Sequence, residues 1–376
     1  VAPNVAPLGP SEIATGEGVV YLNHAAAGVL PRRTRDTLVS LIEGQARAGI
    51  LGFVSVESNL AGYRERIGRF IGAGAADIAF LRNTSDGANT IARGLAWRAG
   101  DEIVVCDNEF GSNVFPWIAA REAGAVVRFI SSPRERMTPQ VLARELSPRT
   151  RVVAVSWVSF ADGYRHDLGA LAELAHGAGA LFCVDAIQGL GAFPLDVAAL
   201  GIDALYAGGA KWLLALPGVS LLYVSPALRD RLAVRWRGWR DVADIWNFFD
   251  YGQPLAPNAA RYEGGTQNFH GIAALDASIA VITEAGLERV GAHVLALTDR
   301  LVEGLLALDA TLATPRGPGI SSGIVTFSLP RRDPVELGRE LGRRGIVTTY
   351  RSSGVRVSPH GYNTTDEIDA FLAALR

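Results

Sequence analysis

The sequence predicts an α/β fold, with a large domain built on a mostly parallel central sheet and a smaller C-terminal α+β domain. Three observations carry this reading. Short apolar runs recur at residues 103–106, 126–130, 152–157, 181–184 and 219–224. They alternate with stretches of helical spacing at 34–48, 87–97 and 168–178, the arrangement of a parallel sheet covered on both faces. After about residue 281 the pattern changes to a long helix (287–308), a strand (324–329), a helix (334–344), short strands and a terminal helix (365–375). The large domain is therefore expected over 18–281, and the small one over 1–17 and 282–376. In doubly wound sheets ligands bind beyond the carboxyl ends of the strands, which directs attention to Glu109–Phe110, Ser159–Phe160 and Asp185–Gln188.

Composition narrows the partners. No apolar run approaches the roughly 20 residues of a membrane span, and the first residues show neither a basic n-region nor an apolar h-region. The expectation is a cytoplasmic protein with no membrane partner. Formal net charge is -2 with scattered basic residues, so no positive stripe for nucleic acid is expected. Cys106 and Cys183 both fall in strand-like runs without metal-ligand spacing, so neither a disulfide framework nor a metal site is suggested. A small molecule is the expected partner.

One count stands out: of the 36 lysines and arginines, Lys211 is the only lysine. A guanidinium stays protonated, whereas a lysine amine can form an imine with a carbonyl compound. A leftover surface lysine is the bland alternative, but Lys211 sits between apolar segments in YAGGAKWLLALPG rather than on a charged face.

The residues around it match one cofactor, pyridoxal 5'-phosphate, held as a Schiff base on Lys211. Such a cofactor works as an electron sink when its pyridine nitrogen is protonated, and a carboxylate beside that nitrogen favours the charged form. Asp185, at the end of an apolar run, supplies one. A strand-end Asp alone is more often a cap; followed by Gln188 and the sole lysine, it is better read as the ring's partner. Gln188 is then the donor to the ring's phenolic oxygen. Thr84 and Ser85 precede an amphipathic helix, whose N-terminus suits the phosphate; a plain N-cap is the ordinary reading of those two residues alone. Phe110 follows a strand and is placed to lie on the ring, although an isolated Phe there would be core. GGAKW is not a phosphate-binding loop, since no Gly precedes the lysine directly and no Ser or Thr follows it. GAGAAD and GLGAFP lack the third glycine of a dinucleotide fingerprint.

With these residues placed, the chain resembles the class V aminotransferase family, the group containing cysteine desulfurases, isopenicillin N epimerase and kynureninase. The resemblance covers nearly the whole length. It rests on YLNHAA (21–26), RNTSDG (82–87), NEFGSNVFPW (108–117), DAIQ (185–188), GGAKW, RYEGGTQN (261–268) and VRVSPHGYNTTDEI (355–368). It implies the pyridoxal-phosphate-dependent transferase fold (type I), and the roles given above to Lys211, Asp185, Phe110, Thr84 and Ser85. It also implies Arg356 on the substrate carboxylate, and a homodimer in which Thr266 completes the partner's phosphate site. Arg351, Tyr350 and His24 are further candidate substrate contacts.

Three places depart from the family pattern. A Ser and a His common shortly before the lysine are replaced by Gly208 and Ala210. A common Asn is replaced by Phe160, which leaves Ser159 as the candidate partner of the ring oxygen. The loop that carries a nucleophilic Cys in cysteine desulfurases is reduced to residues 350–355, none of them Cys, so the sequence reading is that the chain is not a cysteine desulfurase. The expected activity is conversion of an amino acid through an external aldimine with Cα deprotonation by Lys211, amino transfer first. C–S lyase and epimerase chemistry are the alternatives, and a non-catalytic cofactor-binding homologue is a reading of another class.

Overall fold

The computed structural model describes residues 6–131 and 136–376. Seven strands form the central sheet in the spatial order Ile78–Leu81, Ser220–Val224, Ala204–Gly208, Leu181–Asp185, Thr150–Ser156, Glu102–Cys106, Val126–Ile130. Four neighbouring pairs run parallel, and Ser220–Val224 runs antiparallel to both its neighbours. This is the mostly parallel sheet that the apolar runs predict. The sequence reading had no strand at Ile78–Leu81 or Ala204–Gly208. The first is four residues long, and the second is rich in Ala and Gly, which carry little strand propensity.

Period-two alternation puts one apolar set on each face of the sheet. Val104, Val153, Val155, Phe182, Val184 and Leu205 pack on one side. Ile103, Val105, Val152, Ala154, Leu181, Cys183 and Tyr206 pack on the other. Helix Thr84–Gly94 lies on the second face, capped where the Asn83 side chain accepts from the Asp86 backbone N–H at 2.9 Å. It approaches closely because Gly87 faces Tyr206; a Cβ there would sit 2.5 Å from the tyrosine Cβ.

The chain leaves strand Glu102–Cys106 for the outer strand Val126–Ile130, then crosses back to Thr150–Ser156 on the other side. That reversal opens a crevice beyond the strand ends, where ligands bind in sheets of this kind.

The C-terminal part carries a four-stranded antiparallel sheet in the order Thr349–Arg351, Gly354–Val357, Val325–Ser328, Thr311–Leu312. Helices Leu287–Leu306, Pro334–Arg343 and Thr365–Ala374 contribute to a core that includes Leu297, Leu301, Leu337, Val355 and Phe371. The short strand Val20–Tyr21 pairs in parallel with Ile346–Val347, so the N-terminal segment joins this body. Among the described residues, no single helix is long and apolar enough to cross a membrane.

Candidate active site

The site is organised by one row across the central sheet. Ser156, Asp185 and Tyr206 are register partners on adjacent parallel strands, so their side chains share a face. It is the face covered by helix Thr84–Gly94. Asp185 is 1% exposed. Its Oδ1 accepts from the Ile187 backbone N–H at 3.0 Å, while Oδ2 is enclosed with no hydrogen-bond partner. Burial raises its carboxyl to about 6; the Ile187 bond and the field of Lys211 act in the opposite direction. An enclosed carboxylate oxygen with nothing to meet it fits a protonated ring nitrogen.

Lys211 follows strand Ala204–Gly208 in a tight segment. The Gly28 N–H donates to the Ala210 carbonyl at 2.7 Å, and a Cβ on Gly28 would stand 2.3 Å from the Lys211 carbonyl oxygen. No side chain larger than hydrogen fits there without moving the lysine segment. Burial lowers the Lys211 amine to about 8; Asp185 opposes that shift, and Arg356 and Arg351 add to it. The Nζ lies 5.5 Å from the centroid of the Phe110 ring, which is 46% exposed and offers a free surface. Phe160 meets Phe110 edge to face at 5.2 Å.

On the phosphate side, Thr84 opens its helix as expected, and its Oγ1 accepts from the Gly208 N–H at 3.1 Å. A Cβ at Gly208 would lie 3.3 Å from that oxygen, so a larger residue there would crowd Thr84. Ser85 donates to Ser112 Oγ at 2.8 Å. Gln188 is engaged at both ends: Nε2 donates to the Ala25 carbonyl at 3.0 Å and Oε1 accepts from Trp212 Nε1 at 2.9 Å. One amide hydrogen remains for a ring oxygen. Ser159 is buried and its Oγ has no partner.

Arg356 is 7% exposed and makes no ion pair among the described residues. Nη1 donates to the Phe160 carbonyl at 3.0 Å, Nη2 reaches Thr349 Oγ1 at 3.4 Å, and Nε has no partner. Burial lowers the guanidinium to about 10, with the Arg351 charge contributing. A buried cation without an anion is a costly arrangement that a carboxylate ligand resolves. Arg351 is exposed, lies 5.8 Å from the Phe160 ring centroid, and shares the hairpin with the exposed Tyr350.

His24 and Thr266 stand in different settings. His24 has no exposed surface: it packs among Tyr21, Trp212, His360 and Tyr362, and its Nδ1 is bonded to the Ser358 carbonyl at 2.9 Å. Its ring packs beside Trp212, and its Nε2 has no hydrogen-bond partner. Thr266 is exposed and lines a separate cleft of ≈ 480 Å³ with Arg82, Asp86 and Trp236, apart from Lys211, Asp185 and Arg356 of the same chain. The sequence reading marked Glu109 by its position beyond a strand but gave it no role. Its carboxylate accepts from both the backbone N–H and the hydroxyl of Ser156, and a strand-end acid beside Phe110 was the available signal.

An orphaned Asp185 oxygen, an unpaired buried Arg356 and a depressed lysine beside an open aromatic face together fit pyridoxal phosphate. Comparison with known proteins agrees. The Aminotransferase class-V family profile matches residues 20–371. A probable cysteine desulfurase of Methanothermobacter thermautotrophicus is 31% identical over 323 residues, covering 81% of this chain and 80% of that protein. The apo structure of a cysteine desulfurase from Thermococcus onnurineus NA1 superposes with a TM-score of 0.88 at 26% identity, covering 97% of this chain and 96% of that one. A C-DES variant with glycine covalently linked to its pyridoxal-phosphate cofactor shares the fold, with a TM-score of 0.88 at 21% identity over 96% of both chains.

These relatives overturn the reading that the chain is not a cysteine desulfurase. A shortened loop at 350–355 without Cys does not separate it from proteins of that name. A profile match spanning nearly all of the chain, on a fold shared with pyridoxal-phosphate proteins, makes this protein a member of the class-V aminotransferase family with pyridoxal phosphate as its cofactor.

Proposed function

We propose that this protein takes an α-amino acid and breaks a C–S bond in it. The single observation behind an amino-acid substrate is Arg356, a buried guanidinium with no acid partner, in the electrostatic field of Lys211. The names of the relatives support C–S cleavage. Bound pyridoxal phosphate supplies an electron sink for the bonds around the substrate Cα.

The chain's own residues do the rest. Arg356 holds the α-carboxylate as a planar fork and so fixes which Cα bond faces Lys211. The depressed Lys211 amine has a free-base share at neutral pH roughly two orders of magnitude above that of an ordinary lysine, which equips it to move the Cα proton. Asp185 keeps a proton on the ring nitrogen, Phe110 covers the ring, and Thr84 and Ser85 hold the phosphate at the helix N-terminus. Ser159 and Gln188 serve the ring oxygen. Arg351 and Tyr350 stand at the mouth.

The test uses the loaded protein and pools of amino acids, including cysteine and S-substituted cysteines, with no keto-acid acceptor. Mass spectrometry should show many turnovers of a sulfur-containing substrate, with released sulfur species and the cofactor still pyridoxal phosphate. Stoichiometric pyridoxamine phosphate with a keto acid would replace this reading by amino transfer. Cα hydrogen exchange with inversion would replace it by epimerisation.

We also infer a homodimer, because Thr266, expected at the phosphate, is exposed on a cleft whose lining does not include its own chain's Lys211. Thr266→Ala should weaken pyridoxal-phosphate retention several-fold while leaving the sedimentation coefficient of a dimer unchanged. A monomer that keeps the cofactor tightly would refute the shared site.

A further inference from the structure

Beneath the row Ser156, Asp185 and Tyr206 lies a second carboxylate, that of Glu109. Ser156 gives it two hydrogen bonds, one from the backbone N–H at 2.6 Å and one from the hydroxyl. Because Ser156 is the register partner of Asp185, one strand spacing away on the same face, the side chain that Ser156 holds stands beside Asp185. On the far side of Asp185, Tyr206 donates to Asn113 Oδ1 at 2.6 Å, and the Asn113 amide faces Glu109. The Ser156–Glu109 and Tyr206–Asn113 bonds therefore flank Asp185 on its two sides, with Asn113 Nδ2 near Glu109 but not bonded to it.

We propose that Glu109 is the proton-holding partner of Asp185: of two acids on one buried face, Glu109 keeps the proton so that Asp185 keeps its charge for the cofactor's ring nitrogen. Two carboxylates in such a place do not both ionise cheaply. Asp185 has the Lys211 cation in its field and an Ile187 N–H on one oxygen. Glu109 has no cation among the groups that shift it; it has Ser156, Asn113 and the opposing charge of Asp185. Burial raises both acids, and only Asp185 has a cation in its field to hold its charge, so the first proton to bind goes to Glu109. Protonated, Glu109 donates to Ser156 Oγ, while the Ser156 backbone N–H keeps its bond to the other carboxyl oxygen. Glu109 is thus a positioning residue that acts through Asp185.

The other titratable groups around it do not change charge near neutral pH. Cys106, on strand Glu102–Cys106, is pushed up to about 12 by burial and by Glu109 itself. Tyr206 is raised well above its usual value, and His166, on the small cavity that Glu109 also lines, is lowered to about 4, both by burial. Arg136 and Asp162, on the same cavity, are paired with each other at 2.9 Å. Lys211, at about 8, titrates separately.

The experiment follows the visible absorbance of the pyridoxal-phosphate-loaded protein against pH, with no substrate. As pH rises, Glu109 loses its proton and adds negative charge beside Asp185, giving a spectral step distinct from that of the imine between Lys211 and the cofactor. Glu109→Gln, which imitates the protonated acid, should remove that step and leave the other. Ser156→Ala takes away a bond that favours the carboxylate, so it should move the step to higher pH by about half a unit. The second variant decides the matter if the first fails to fold or to hold cofactor. A step that persists in Glu109→Gln, or that stays in place in Ser156→Ala, overturns the proposal. A residue that merely braced the strand would lower stability in both variants and move neither ionisation.

Discussion

Lys211→Arg is expected to lower turnover by about 10³-fold or more and to abolish covalent attachment of the cofactor while leaving it reversibly bound. Arginine keeps the positive charge beside Asp185 but offers no amine, either for the link to the cofactor or for moving the Cα proton. On the proposed reading the phosphate and ring contacts come from other elements, namely Thr84, Ser85, Phe110 and Asp185, so affinity should survive in part. Borohydride reduction followed by peptide mapping checks the attachment. In the native protein the label should fall on the peptide containing Lys211, and in the variant nowhere. Label on the native protein at any other position would remove Lys211 from the centre of the site.

Arg356→Ala should carry the second largest effect, a loss in substrate affinity of about 2–5 kcal/mol, or tens-fold to thousands-fold in dissociation constant. The guanidinium is buried and fixed by the Phe160 carbonyl and Thr349, so it meets a carboxylate already oriented. The same change should not weaken the fold much, because it strands no acid and removes a desolvated charge. Titration of the cofactor spectrum with amino acids, paired with a thermal melt, separates the two effects. Unchanged affinity would move the carboxylate site elsewhere, with Arg351 the next candidate.

Much of the site was legible because its chemistry demands particular residue types. A sole lysine amid apolar residues, and an acid at the end of an apolar run, stand out in a linear string, and the fold brings both to one crevice. The apolar runs marked five of the seven central strands, since Val, Ile and Leu alternation is visible without coordinates. Strand Ala204–Gly208 was not, because its fit depends on what packs against it, helix Thr84–Gly94 over Tyr206 above all. The setting of His24 was hidden for a related reason: only packing shows that Tyr21, Trp212, His360 and Tyr362 surround it. Glu109 was marked by position but given no role, because its meaning lies in sheet register. Nothing local links it to Asp185; strand Thr150–Ser156 does, by placing Ser156 between them.

The solitary lysine has one more consequence, for covalent modification. Acylating metabolites, reducing sugars and conjugating enzymes all seek side-chain amines, and most proteins offer them dozens of harmless surface targets. Here arginine occupies every such place in the sequence, and the single amine is mostly buried at the reaction centre. With Lys211 as the cofactor's lysine, glycation or acetylation of a lysine in this protein would be the same event as inactivation, and cofactor bound over that amine would shield the molecule from both.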